Sequence, residues 1–159
     1  MMSKNFNRLV ESGLGTVPRI MFRGVNRMFY RGREYKVDPF DYGNMGTGLY
    51  LSSRMEIAKY YANMKTGNQP AVLWIKHNVE NPILVEDKKS VIELSEFLGV
   101  QSVPVWDGYQ QKNPNWSDEV SRLLVRRGHD GVFAVKEGEL VSFYPEKAEI
   151  IETVIVDKK

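Results

Sequence analysis

The stretch from Gly46 to Tyr61 constrains the fold more than any other part of the chain. It joins a glycine-punctuated loop, a short apolar strand and a helix with almost nothing between them. Gly46 and Gly48 let the backbone turn tightly or meet another group closely, where a Cβ would interfere. Leu49-Tyr50-Leu51 is short, apolar and aromatic, the composition of a strand. Ser53 and Glu56 stand at capping-box spacing, which predicts a helix starting at Ser53. Strand alternation turns Tyr50 away from Leu49 and Leu51. On the helix, Ala58, Tyr61 and Ala62 share a stripe at i, i+3 and i+4. The strand tyrosine and Tyr61 can then face one cleft; the plain alternative is that both are core aromatics.

The rest of the chain supplies strands in runs. Residues 3–15 carry Phe6, Leu9 and Val10 at helical spacing with Gly13 near the end, which predicts an amphipathic helix. After Pro18, Arg19 to Val25 reads as the first good strand. Met28-Phe29-Tyr30 and Tyr35-Lys36-Val37 read as short strands around Gly32, and Asp38-Pro39 and Tyr42-Gly43-Asn44 as turn or loop. Beyond a turn at 66–70, strands are expected over 71–79 and 83–85. A second capping box, Ser90 with Glu93, predicts a helix to about Leu98 that Gly99 stops. Residues 100–116 read as a long irregular loop bearing Trp106, Tyr109 and Trp116. A helix follows from Ser117 to Arg127, with Val120, Leu123 and Leu124 on one face and Gly128 as its stop. Strands over 131–135, 139–144 and 148–156 close the chain, the first two joined by a Lys136-Glu137-Gly138 turn.

Short strands outnumber helices and do not alternate strictly with them, which argues for an α+β fold with largely antiparallel sheets. A length of 159 residues suits one domain, 1–159, without a visible linker or repeat. Cysteine is absent, which removes disulfides and thiolate metal sites and points to an intracellular, cytoplasmic protein. The first residues, Met1-Met2-Ser3-Lys4-Asn5-Phe6, contain no apolar signal segment, and no run approaches the ~20 apolar residues of a membrane span. With His77 and His129 as its only histidines the chain is not expected to bind zinc. Both are expected to be structural. Net charge is +2, but residues 1–40 hold eight basic against three acidic residues. Such an excess suits phosphates of a dinucleotide or a nucleic acid, or is simply solvated surface.

Three places together resemble the ADP-ribosyltransferase superfamily, which includes bacterial toxins, phage-encoded transferases and the poly-ADP-ribose polymerases. The first is Phe22-Arg23-Gly24 at a strand end. The second is Gly46-Thr47-Gly48-Leu49-Tyr50-Leu51-Ser52 with Tyr61 eleven residues after Tyr50. The third is Glu139 at the start of a late strand. Their order and spacing agree across residues 19–144, and Gly128-His129-Asp130-Gly131 resembles an element of the small phage and mobile-element members. The set is mixed. Arg23 is similar to the Arg/Ser-Thr-Ser/Glu branch, to which Glu137-Gly138-Glu139 and a displaced Ser52-Ser53 also bear likeness. Tyr50 with Tyr61 is similar to the His/Tyr/Glu branch.

The resemblance implies a fold of two mainly antiparallel sheets forming an NAD cleft with flanking helices. It implies cleavage of the nicotinamide–ribose bond of NAD⁺ through an oxocarbenium-like transition state. Tyr50 and Tyr61 would stack on nicotinamide, and the backbones of Gly24 and Gly48 would approach the ligand. Arg23 would contact a phosphate or the adenosine side. Glu139 would bind the ribose and stabilise its developing charge, with Ser52 supporting it. Glu137, two residues away, would share a strand face with Glu139 if the chain there is extended, and would orient an acceptor; otherwise it belongs to a hairpin turn. No metal is implied. The expected protein is a monomer that modifies a macromolecule, with protein favoured over RNA or DNA. An NAD⁺ glycohydrolase and a non-catalytic binder are the alternatives.

Overall fold

A computed structural model describes residues 17–31, 33–35, 41–43, 45–87, 98–100 and 114–156. The expected helix over 3–15, most of the one over 90–98 and most of the loop over 100–116 lie outside the described residues. The strands are β1 Ile20–Tyr30, β2 Arg33–Tyr35, β3 Asp41–Gly43, β4 Gly46–Ser52, β5 Gln69–Lys76, β6 Ile83–Val85, β7 Gly131–Ala134, β8 Glu139–Ser142 and β9 Glu149–Ile155. The helices are α1 Met55–Met64 and α2 Pro114–Arg126, with a 3-10 turn at Pro145–Lys147. No helix among the described residues is long and apolar enough to cross a membrane.

The mixed α/β character expected from the sequence is present, but the strands form one sheet and not two. Its order is β6-β7-β8-β4-β1-β5-β9, with β2 on β1 and β3 on β4. Among the described residues only β6 and β7 pair in parallel; every other pair is antiparallel. The halves are stitched together by a single residue pair, Phe22 with Ser52. By contrast β1 and β5 pair from Ile20–Lys76 to Arg27–Gln69.

Both β4 and β5 run antiparallel to β1, so α1 makes a crossover above β1 between two parallel strands. Gly24 lies directly beneath it: a Cβ there would sit 1.9 Å from the Ala58 carbonyl oxygen and 2.7 Å from the Ala62 nitrogen. Right-handed crossovers put α1 and α2 on the same face. There Val120 and Leu124 of α2 pack with Met45, Val85, Val132, Ala134 and Val141. The opposite face gathers Met21 and Ile75 from one half-sheet with Leu49, Leu51, Leu84, Phe133 and Leu140 from the other. Leu49 and Leu51 thus sit on one face and Tyr50 on the other, as alternation requires.

Two helix boundaries differ from those expected. Helix α1 begins at Met55 with Arg54 as its N-cap and no side-chain cap. The box fails because Ser53 serves another contact: its N–H donates to the Gly138 carbonyl at 2.8 Å. Helix α2 begins at Pro114, since proline suits a first turn, where its missing N–H costs nothing. Its end is as expected. Gly128 has φ +88, its N–H bonds Val125, and the His129 N–H bonds Leu124, the two bonds of a Schellman motif. Tyr42 and Gly43, expected in a turn or loop, belong to β3, which is zipped to β4 from Gly43–Gly46 to Asp41–Gly48.

Candidate functional site

Backbone parity shows what the single stitch leaves open. The Val156 N–H donates to the Pro70 carbonyl at 2.9 Å, so the Pro70 peptide faces β9. Alternation then turns Ala71 and Leu73 toward β1, and their partners Val25 and Arg23 toward β5. The peptide groups of Phe22, Gly24 and Asn26 therefore face β4. From the other side, the Phe143 N–H donates to the Asp130 carbonyl, so Phe143, Val141 and Glu139 face β7. Leu140 and Ser142 face β4, and Tyr50 and Ser52 on β4 face β1. Past the Phe22–Ser52 pair the strands diverge, and the peptides of Gly24 and Tyr50 look into the resulting split.

Side chains fill part of that split. Arg23 is 6% exposed, and its Nη1 donates to the Tyr50 carbonyl at 3.1 Å. It lies deep in the protein, bridging the half-sheets, and does not project as a surface cation. On the far side of Gly24, Lys65 Nζ donates to the Gly24 carbonyl at 2.7 Å. Lys65 is itself anchored at the end of α1: its N–H donates to Tyr61, and its carbonyl accepts Asn26 Nδ2 at 2.8 Å.

Across the stitch the register lines up Trp74, Phe22, Ser52, Glu139 and Ala134 on the helix-bearing face. Ser52 and Glu139 are direct cross-strand partners, with Cβ atoms about 4.5–5.5 Å apart in such pairs. Ser52 is 7% exposed, and its Oγ accepts the Arg54 N–H at 3.1 Å, fixing the corner between β4 and α1. Glu139 is half-buried at the first position of β8. The structure therefore brings Gly24, Tyr50, Ser52 and Glu139 to the fork of the sheet along its helix-bearing face, whereas Arg23, alternating with Phe22 and Gly24, starts from the opposite face and reaches the fork through the Tyr50 carbonyl.

The tyrosines are positioned less simply. Tyr50 is half-buried, with its ring against the Met45–Val141 core. Its hydroxyl accepts the Met45 N–H at 3.0 Å and donates to the Gly46 carbonyl at 2.5 Å, locking the β3–β4 hairpin. Tyr61 is half-buried and edge-on to Tyr60, centroids 5.9 Å apart. Gly48 has a packing role: a Cβ there would stand 2.2 Å from the Ser142 carbonyl oxygen of β8.

Glu137 does not share a strand face with Glu139. Residues 135–138 form a turn, with Gly138 at φ +66 and its N–H bonded to the Ala134 carbonyl at 2.9 Å. A left-handed residue between the two glutamates ends the extended geometry that would align them. The turn is clasped by Ser53, whose Oγ occupies the space a Gly138 Cβ would need. Oε2 of Glu137 is buried.

The histidines are structural. His77 is 2% exposed; Nε2 bonds the Pro18 carbonyl at 2.6 Å and Nδ1 accepts the Val79 N–H at 3.1 Å. That pattern requires a neutral ring protonated on Nε2. Burial pushes its pKa below the ordinary 6.5. His129 Nδ1 lies 3.1 Å from the Asn81 carbonyl, and the Asp130 carboxylate accepts the N–H groups of Glu80 and Asn81 at 2.8 and 2.9 Å. The Gly128–Gly131 element is thus the corner that ties β7 to the loop after β5. Sequence reasoning missed this tie, the Ser53–Gly138 clasp and the Lys65–Gly24 contact. Only Lys65, a cation at a helix C-terminus, carries a local signal. Among the described residues no group of three His, Asp or Glu side chains is placed to hold a metal ion.

No family model, curated protein or solved structure matches the chain.

Proposed function

We propose that this chain is a mono-ADP-ribosyltransferase that uses NAD⁺ as substrate and modifies a macromolecule. The observation that carries the proposal is the fork of the sheet, where one cross-strand row joins the Arg23-Gly24 strand to Ser52 and Glu139. Residues far apart in the chain meet where backbone amide and carbonyl groups open into a split. A split of this kind suits a carboxamide, whose N–H₂ and C=O match a strand's C=O and N–H. In the reaction the ribose–nicotinamide bond breaks and its electron pair leaves with the ring nitrogen, which neutralises the pyridinium. The ribose carbon left behind is cationic. The half-buried Glu139 carboxylate stabilises that charge more strongly than it would in water, until the acceptor adds and loses its proton. Arg23 acts by position: its burial and its bond to the Tyr50 carbonyl support a role in holding the fork, in place of the phosphate contact that the resemblance implies. Tyr50 and Tyr61 supply the ring platform.

One observation favours a second reading. With Gly138 in the left-handed region between them, Glu137 and Glu139 do not form the aligned pair expected to orient a bulky acceptor. That supports NAD⁺ glycohydrolase activity, in which water takes the acceptor's place. Both readings require Glu139. Incubation with labelled NAD⁺ and cell lysate should release nicotinamide and label a macromolecule, and Glu139→Gln should lose at least a hundredfold in rate while keeping its fold, in line with loss of one electrostatic stabiliser. Full activity in that variant ends the assignment. Nicotinamide release unaffected by lysate assigns the hydrolase, and digestion of the labelled product by nuclease or by protease identifies the acceptor class.

A further inference from the structure

We propose that Lys65 sets the affinity of the nicotinamide subsite by occupying the carbonyl that the substrate carboxamide must use. The inference rests on the NAD⁺ reading above. Gly24 is the β1 residue whose peptide faces the split, it is buried, and it lies under α1 with no room for a Cβ. Its carbonyl already accepts a charged donor, Lys65 Nζ at 2.7 Å. Charge-assisted hydrogen bonds of this length are about twice as strong as neutral ones. A carboxamide N–H₂ is a neutral donor, so it gains less at that oxygen than the ammonium loses. Binding at Gly24 must therefore move the ammonium off or share the oxygen with it, and either costs affinity.

The lysine is held where it can do this. Its backbone is fixed at both ends, by Tyr61 through its N–H and by Asn26 through its carbonyl. Asn26 is 6% exposed and stands two residues beyond Gly24 on the same β1 edge. Gly67, after the helix, presses against Asn26 so closely that a Cβ there would lie 2.5 Å from both its carbonyl and its side-chain oxygen. Gly24, Asn26, Lys65 and Gly67 thus form one unit in which the helix end and the strand edge move together. The ammonium sits on a flexible four-carbon stem that can change rotamer while the backbone stays in place.

The test measures nicotinamide and NAD⁺ binding by calorimetry in wild type, Lys65→Gln and Lys65→Met, with Tm for each and steady-state NAD⁺ turnover. Removing the charge in Lys65→Gln weakens the competing bond, and Lys65→Met removes it. The expected order of nicotinamide affinity is wild type, then Gln, then Met, the last at least tenfold tighter than wild type. KM for NAD⁺ falls in step and kcat changes less than threefold. A merely structural lysine would lower Tm and weaken binding in both variants, and that result overturns the proposal, as does equal affinity in all three proteins. If Lys65→Met fails to fold, Lys65→Gln decides by the same criterion. If no protein in the series binds nicotinamide or NAD⁺, the proposal falls together with the NAD⁺ reading; binding without dependence on residue 65 removes the proposal alone.

Discussion

Gly24→Ala tests the packing that creates the fork. Gly24 lies in ordinary extended backbone, so alanine adds no dihedral strain. The added carbon would lie 1.9 Å from the Ala58 oxygen, 2.7 Å from the Ala62 nitrogen and 3.0 Å from the Ala58 carbonyl carbon. All three are backbone atoms of a hydrogen-bonded helix, so no side chain can swing aside and α1 must lift by about 1.5 Å to restore normal contact. Overpacking of this kind costs about 1–3 kcal/mol. The upper end applies here because Ala58 and Ala62, 1% and 0% exposed, lose their contacts as the helix rises. Alanine returns about 0.4–1 kcal/mol by restricting the unfolded chain, which leaves a net loss of about 2 kcal/mol or somewhat more. For a domain of this size each kcal/mol shifts Tm by about 2–4 °C, so a fall of roughly 4–10 °C is expected in thermal unfolding followed by circular dichroism. Gly99→Ala is the control: among the described residues nothing lies within 4 Å of its Cβ, and its φ of +79 opposes the change, at about 1–2 kcal/mol. A Gly24→Ala protein that melts within a degree of wild type would show that α1 does not rest on Gly24, and the account of the fork would be wrong.

Tyr50→Phe removes the hydroxyl that joins Met45 to Gly46 and keeps the ring. Net hydrogen-bond values predict a loss of about 1–2 kcal/mol in urea unfolding, with NAD⁺ turnover reduced less than tenfold; a hundredfold fall would mean the hydroxyl has a chemical role. The depressed pKa of His77 predicts the direction of a pH dependence. Below 6.5 the unfolded chain binds a proton at this ring and the folded one does not. Stability is therefore full above about pH 6.5, declines as pH falls below it, and levels off under the folded-state pKa. His77→Gln should flatten that part of the urea-midpoint profile between pH 8 and 5, and an unchanged slope would assign the titration elsewhere.

Sequence alone located the groups that meet at the fork but not what each one touches. The Gly46–Ser52 strand stood out because glycine spacing and alternation act over a few residues, whereas Arg23-Gly24 and Glu139 were singled out by the resemblance to the ADP-ribosyltransferase superfamily. Alternation also placed Tyr50 opposite Leu49 and Leu51 correctly. The capping box failed because a partner distant in the chain, the Gly138 carbonyl, takes the Ser53 N–H. Glu137 and Glu139 were separated by the left-handed φ of Gly138, and a glycine in a sequence permits that conformation without requiring it. The same limit hid why Gly24 and Gly48 are glycines: the atoms they admit belong to α1 and β8. The union of the two expected sheets into one rests on a single register, Phe22 with Ser52, which no local pattern encodes.

The groups at the fork come from opposite ends of the chain. Arg23, Gly24, Tyr50, Ser52 and Tyr61 all lie within the β1–α1–β5 region, whereas Glu139 arrives on β8, which must slot between β4 and β7. Synthesis runs from the N-terminus, so during translation the parts that would grip the substrate emerge well before the carboxylate. Under the proposed activity, a chain made only as far as β5 holds the groups for gripping NAD⁺ and none for breaking it, and the reaction begins only once β8 is in place.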